Sequence, residues 1–123
     1  MIIIDVAGRT AAFTGKEVDN WKEHIVGEDH AVAGNMLLDK KVVEEMASAF
    51  KNSVGDLAER LMRALEAGQG AGGDKRGKAS AALLVTNREK IRHPFIDLRV
   101  DDHPEPLREL RRKLESFEKH KHV

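Results

Sequence analysis

Asp74, Lys75, Arg76 and Lys78 form a compact charged group set among glycines, within the stretch GQGAGGDKRGKASAALLV from Gly68 to Val85. Five of the ten glycines, Gly68, Gly70, Gly72, Gly73 and Gly77, fall in its first ten residues. Glycine permits backbone angles and close approaches that a Cβ forbids, and backbone N–H groups gathered beside a guanidinium suit a carboxylate or an amide oxygen. Asp74 and Arg76 are therefore candidate ligand-binding residues. The same charges also read as a solvent-facing loop, with Lys75, Arg76 and Lys78 complementing the negative end of a preceding helix. A phosphate-binding loop is excluded: Gly72 leads to Gly77-Lys78, but Ala79 stands where a magnesium-binding Ser or Thr is required, and a strand follows rather than a helix.

Other chemistry-bearing residues are sparser. Asp101-Asp102-His103 has metal-like residue types, but adjacent positions do not converge in an extended chain, and a cap for the helix after Pro104 accounts for Asp102 or His103. His120 and His122 lie in the terminal KHKHV tail and read as solvated. The chain has no cysteine, which excludes a disulfide framework, a Cys-based zinc site and a thiol nucleophile. No metal or other cofactor is expected. Lys and Arg number 21 against 21 Asp and Glu, so no net field steers the chain toward nucleic acid or an anionic membrane, and neither is expected as a partner. The apolar run at the start is only Ile2 to Ile4, too short for a signal peptide or a membrane span, and the expected location is cytoplasmic.

The elements that must position these residues follow from periodicity. At 123 residues the chain is one domain's worth, 1–123. Ile2 to Val6 and Thr10 to Phe13 flank the turn Ala7-Gly8 and predict a β-hairpin. Lys16 to His30 is polar without steady periodicity and reads as a loop, with a short strand at Ala31-Val32 ending at Gly34-Asn35. A helix starting at Asp39 buries Val42, Val43, Met46, Ala47 and Phe50. A second is capped by Ser53 or Asp56, with Glu59 at capping-box spacing, lines up Leu57, Leu61, Met62 and Leu65, and stops at Gly68, the two helices packing side by side. Ala79 to Thr86 is apolar on both alternating faces and reads as a central strand covered on both sides. Phe95 to Val100 has one wet and one dry face and pairs with it. A last helix begins near His103 or Pro104, with Leu107, Leu110, Leu114 and Phe117 as its seam. The order is β-β-(β)-α-α-β-β-α, an α+β protein.

GGDKRGKASAALLV (Gly72 to Val85), AGRTAAFTG (Ala7 to Gly15), Trp21 with His24, AVAGNML (Ala31 to Leu37) and DLRVDDHPEPLREL (Asp97 to Leu110) together resemble the family known as domain of unknown function 1028. Its members are thought to belong with the N-terminal-nucleophile (Ntn) hydrolases. Ala79 departs from the family's usual Gln, Ala33 departs likewise, and the family's N-terminal half has no counterpart here. The resemblance implies part of an αββα Ntn-hydrolase-like sandwich, this chain being the C-terminal part of a larger domain: a fragment, or a reading frame begun at an internal Met.

By the same resemblance Trp21, His24 and Asn35 join Asp74 and Arg76 as ligand-binding candidates. A histidine beside an aromatic serves as acid, base or amide-binding group, or Trp21 anchors a loop with His24 as its polar neighbour. Asn35 donates to an oxyanion or tolerates a left-handed turn. An Ntn nucleophile is the side chain of the first mature residue, with the free α-amine as base. Met1-Ile2 cannot provide it, and cleavage at Thr10 or Thr14 would discard part of the hairpin. The resemblance therefore implies an amide hydrolase not active through this chain alone, acting on a small amide or peptide. Relatives joined to peptidoglycan-binding domains hint at cell-wall peptides. Open sheet edges imply a homo-oligomer or a chain supplying the missing half. The alternative is a non-catalytic small-ligand-binding or assembly module using the Gly72 to Gly77 corner.

Overall fold

The computed structural model describes residues 2–5, 7–12, 23–27, 29–34, 41–72, 80–86 and 95–120. Among these residues six strands and three helices follow one another as β1 (Ile2–Ile4), β2 (Thr10–Ala12), β3 (Glu23–Val26), β4 (Ala31–Gly34), α1 (Lys41–Asn52), α2 (Leu57–Gly70), β5 (Ala81–Val85), β6 (Ile96–Val100) and α3 (Pro106–His120). The protein is α+β, in the expected order with one strand added. Among the described residues the strands form three antiparallel pairs, β1–β2, β3–β4 and β5–β6. The chain divides into two compact units, one of residues 1–54 and 63–77, the other of residues 55–62 and 78–123.

In the first unit, β1 and β2 pair with Ile3 opposite Ala11. Asp5 closes their turn. Its Oδ1 accepts the N–H groups of Ala7 and Arg9, both at 2.9 Å, and its Oδ2 accepts Arg9 Nε at 2.6 Å. These donors, led by the Arg9 backbone, hold the Asp5 carboxyl below its ordinary value of 3.8. A depressed folded value means that the turn keeps this contribution above the ordinary value and loses it as pH falls through the folded one. Carbon-detected NMR titration is expected to place the Asp5 midpoint below 3.8, and Arg9→Ala to move it only part of the way back, because the residue-9 backbone N–H remains.

The segment expected to be a loop contains β3. Glu23 to Val26 pairs with Ala31 to Gly34, His24 opposite Ala33 and Ile25 opposite Val32. Four residues alternating across a half-covered sheet are too few to stand out against polar neighbours. Ile25 and Val32 face α1 and join Val42, Val43, Met46, Ala47 and Ala71 in one apolar cluster. The helical period read for α1 thus marks its buried stripe. The expected start at Asp39 lies outside the described residues.

Asp56 is the N-cap of α2, since its Oδ1 accepts the Glu59 N–H at 2.9 Å. Ser53 instead finishes α1, its hydroxyl donating to the Phe50 carbonyl. The buried positions of α2 are Ala58, Met62, Ala64 and Gly68, while Leu57 is 47% exposed. Met62 is buried as expected, and the other buried positions are the small residues Ala58, Ala64 and Gly68. The helix also runs through Gly68 to Gly70. A Cβ at Gly68 would lie 2.7 Å from Met46 Cγ, so this glycine serves helix packing and does not terminate the helix.

In the second unit, β5 and β6 pair with Leu83 opposite Leu98 and Leu84 opposite Asp97. Leu83, Ile96 and Val100 are buried on the side where α3 packs, along with Leu110 and Leu114 of α3. The other face carries Ala82, Leu84, Asp97 and Arg99, all exposed, with Leu84 at 58%. Among the described residues β5 is covered on one face, where its composition reads as covered on two. α3 begins at Pro106, later than expected: Glu105 supplies the first helical carbonyl to Glu109, and Pro106 takes the first helical position. Glu59 of α2 grips Arg111 of α3 through two bonds of 2.7 and 3.0 Å, so the carboxylate expected to complete a capping box is turned to a partner 52 residues away.

Candidate functional site

Of the five candidate ligand-binding residues, His24 lies within the described part of the chain. Trp21, Asn35, Asp74 and Arg76 lie outside it. Strand alternation sets where His24 stands. Ile25 and Val32 are turned to α1, so His24, Val26, Ala31 and Ala33 share the opposite face of the β3–β4 hairpin. On that face Ala33 is exposed, Val26 is 45% exposed and His24 is half-buried. His24 is thus set by strand backbone on the face turned away from α1, and β1 and β2 also lie close to this hairpin.

The turn joining β3 to β4 is built around a second histidine. The Gly27 N–H donates to the His30 carbonyl at 2.7 Å, and the Thr10 hydroxyl of β2 donates to the Gly27 carbonyl at 3.0 Å. The His30 ring lies across Gly27, where a Cβ would come within 2.5 Å of Nε2, and its centroid is 4.9 Å from that of Phe50. Nδ1 is 3.0 Å from Asp29 Oδ1. With Nε2 over Gly27 and one side against Phe50, His30 locks the turn and fixes the register that places His24. Its position three residues after a glycine, in a segment read as a loop, is the only signal the sequence carries of this role.

The helix leading into the glycine-rich stretch ends on backbone bonds. Ala71 N–H donates to Ala67 O at 3.0 Å, Gly72 N–H to Gln69 O at 3.2 Å, and Gly72 has a φ of 123°. Asp101, Asp102 and His103 are engaged separately. Asp101 accepts from Arg99 at 3.2 Å, Asp102 is left-handed with a φ of 49°, and His103 Nδ1 accepts the Glu105 N–H at 2.9 Å. The trio thus shapes the entry to α3. Among the described residues no three His, Asp or Glu side chains converge as metal ligands, and no helix is long and apolar enough to cross a membrane.

A mixed α+β chain of antiparallel hairpins, two of them packed on a helix and one of these carrying a histidine on the face turned away from that helix, is the class these observations define. The chain belongs to the family of unknown function DUF1028, whose model matches residues 1–110. It is similar to a protein from Silicibacter pomeroyi of the same family, known from a crystal structure, with 36% sequence identity and a TM-score of 0.84. The likeness covers 94% of this chain and 49% of that one, so the chain spans about half the length of its solved relative. No curated protein matches it.

Proposed function

We propose that this chain carries ligand-positioning groups of an Ntn-type amide hydrolase, corresponds to the C-terminal part of that larger αββα domain, and is inactive without the nucleophile. The observation that carries the reading is the placement of His24 on the face of β3–β4 turned away from α1. The β3–β4 and β5–β6 hairpins, each packed on a helix, are half-layers of the kind an αββα arrangement needs. Thr10, the hydroxyl nearest the start of the chain among the described residues, lies within β2 and donates to the Gly27 carbonyl, a structural use that leaves the nucleophile to come from outside these residues. In this reading Asp74, Arg76, Trp21 and Asn35 act with His24 on a small amide or peptide. A second copy, or a chain bearing the other half of the domain, completes the site.

The single tryptophan makes the binding half of this proposal measurable. Titration of the chain with N-acetyl amino-acid amides is expected to change Trp21 fluorescence saturably. His24→Ala is expected to weaken that binding by about tenfold, the loss of one hydrogen bond to a polar ligand. A fluorescence response that is absent, or unchanged by both His24→Ala and Arg76→Ala, would contradict the assignment.

A further inference from the structure

We propose that β5 is a self-pairing strand, which joins two copies of this chain edge to edge in antiparallel register centred on Leu83. Among the described residues β5 is hydrogen-bonded to β6 alone. The two strands of this hairpin are provided for unequally. β6 carries Asp97 and Arg99 on its open face, and Lys113 of α3 donates from Nζ to the Arg99 carbonyl at 2.6 Å. Charges and a lysine of this kind are how proteins keep an edge from pairing.

Among the described residues β5 has no such protection. Ala81-Ala82-Leu83-Leu84-Val85 contains no charge and no proline, and Leu84 is 58% exposed. A strand with the composition of a sheet centre and a single neighbour calls for a second one. The sequence of β5 fits its own copy. Centred on Leu83, antiparallel self-pairing sets Ala81 opposite the partner's Val85 and Ala82 opposite the partner's Leu84, a small side chain against a large one at every flanking position. The arrangement is two-fold and closed, so it stops at a dimer and yields a four-stranded sheet in the order β6-β5-β5-β6. The inference rests on the edge alone and is independent of the hydrolase reading.

Sedimentation of the whole chain across roughly 1–100 µM, the range in which a micromolar Kd is read, is expected to show a monomer–dimer equilibrium. Leu84→Lys is expected to raise its Kd at least about tenfold. Because Leu84 is exposed in the single chain, the far-UV circular dichroism of that variant stays unchanged. The register has its own readout, since the chain has no cysteine. An Ala82→Cys chain mixed with a Leu84→Cys chain is expected to give a mixed disulfide dimer under mild oxidation, in excess of either homodimer. A wild-type chain that stays monomeric overturns the proposal and leaves the edge to a strand of another polypeptide. So does a dimer indifferent to Leu84→Lys, or one that forms no mixed disulfide.

Discussion

Leu110→Ala is expected to destabilise the second unit by about 2–5 kcal/mol, the cost of removing a fully buried leucine and leaving a cavity. Leu110 is 0% exposed and Leu114 1%, on the α3 face that packs toward β5 and β6, where Leu83, Ile96 and Val100 are also buried. A hairpin of two strands cannot stand without a covering layer, and here α3 is that layer. A loss of this size is a large share of the roughly 5–15 kcal/mol by which small proteins are stable. Urea denaturation followed by circular dichroism reads it as a lower midpoint at unchanged slope. Leu107→Ala, at a half-buried position on the same helix, should cost clearly less.

Gly27→Ala is the second large effect, expected at about 1–3 kcal/mol because the added methyl must displace a packed ring. The Cβ would lie 2.5 Å from Nε2 and 2.8 Å from Nδ1 of His30, whose ring is held by Phe50 on one side and Asp29 at its edge. Expelling the ring loosens the β3–β4 turn and, with it, the placement of His24. The variant should therefore lose ligand binding beyond its loss of stability, and the His30 ring signals should move away from their Phe50-shifted positions in the NMR spectrum. Gly70→Ala serves as the opposite control. It is at the end of α2 with nothing within 4 Å of a new Cβ. That change should stabilise by up to about 0.5–1 kcal/mol through helix propensity alone.

The parts of the fold legible in the sequence are those in which one periodicity dominates. Val42, Val43, Met46 and Phe50 mark the inner stripe of α1, Asp56 with Glu59 marks the start of α2, and the alternation from Phe95 to Val100 separates a buried from an exposed face. What was not legible depends on partners distant in the chain. β3 has four residues and is a strand because Ala31 to Gly34 lies beside it. Gly68 reads as a stop signal, yet it belongs to the helix because Met46 packs there. Glu59 reads as half of a capping box, yet its carboxylate is taken by Arg111. Of the candidate site, His24 was found through a Trp-x-x-His resemblance. Its position on the face turned away from α1 follows only once the register of β3 against β4 is known. His30 carries no local signal of its packing, because nothing near it in the sequence says that Phe50 will meet it.

The most direct test is amide hydrolysis by the purified chain and by the chain mixed with a polypeptide carrying the other half of the family domain, assayed on a panel of N-acyl amides. The expected result is turnover only in the mixture, with His24→Ala reducing it. Hydrolysis by this chain alone, or a mixture in which His24→Ala is without effect, would contradict the account.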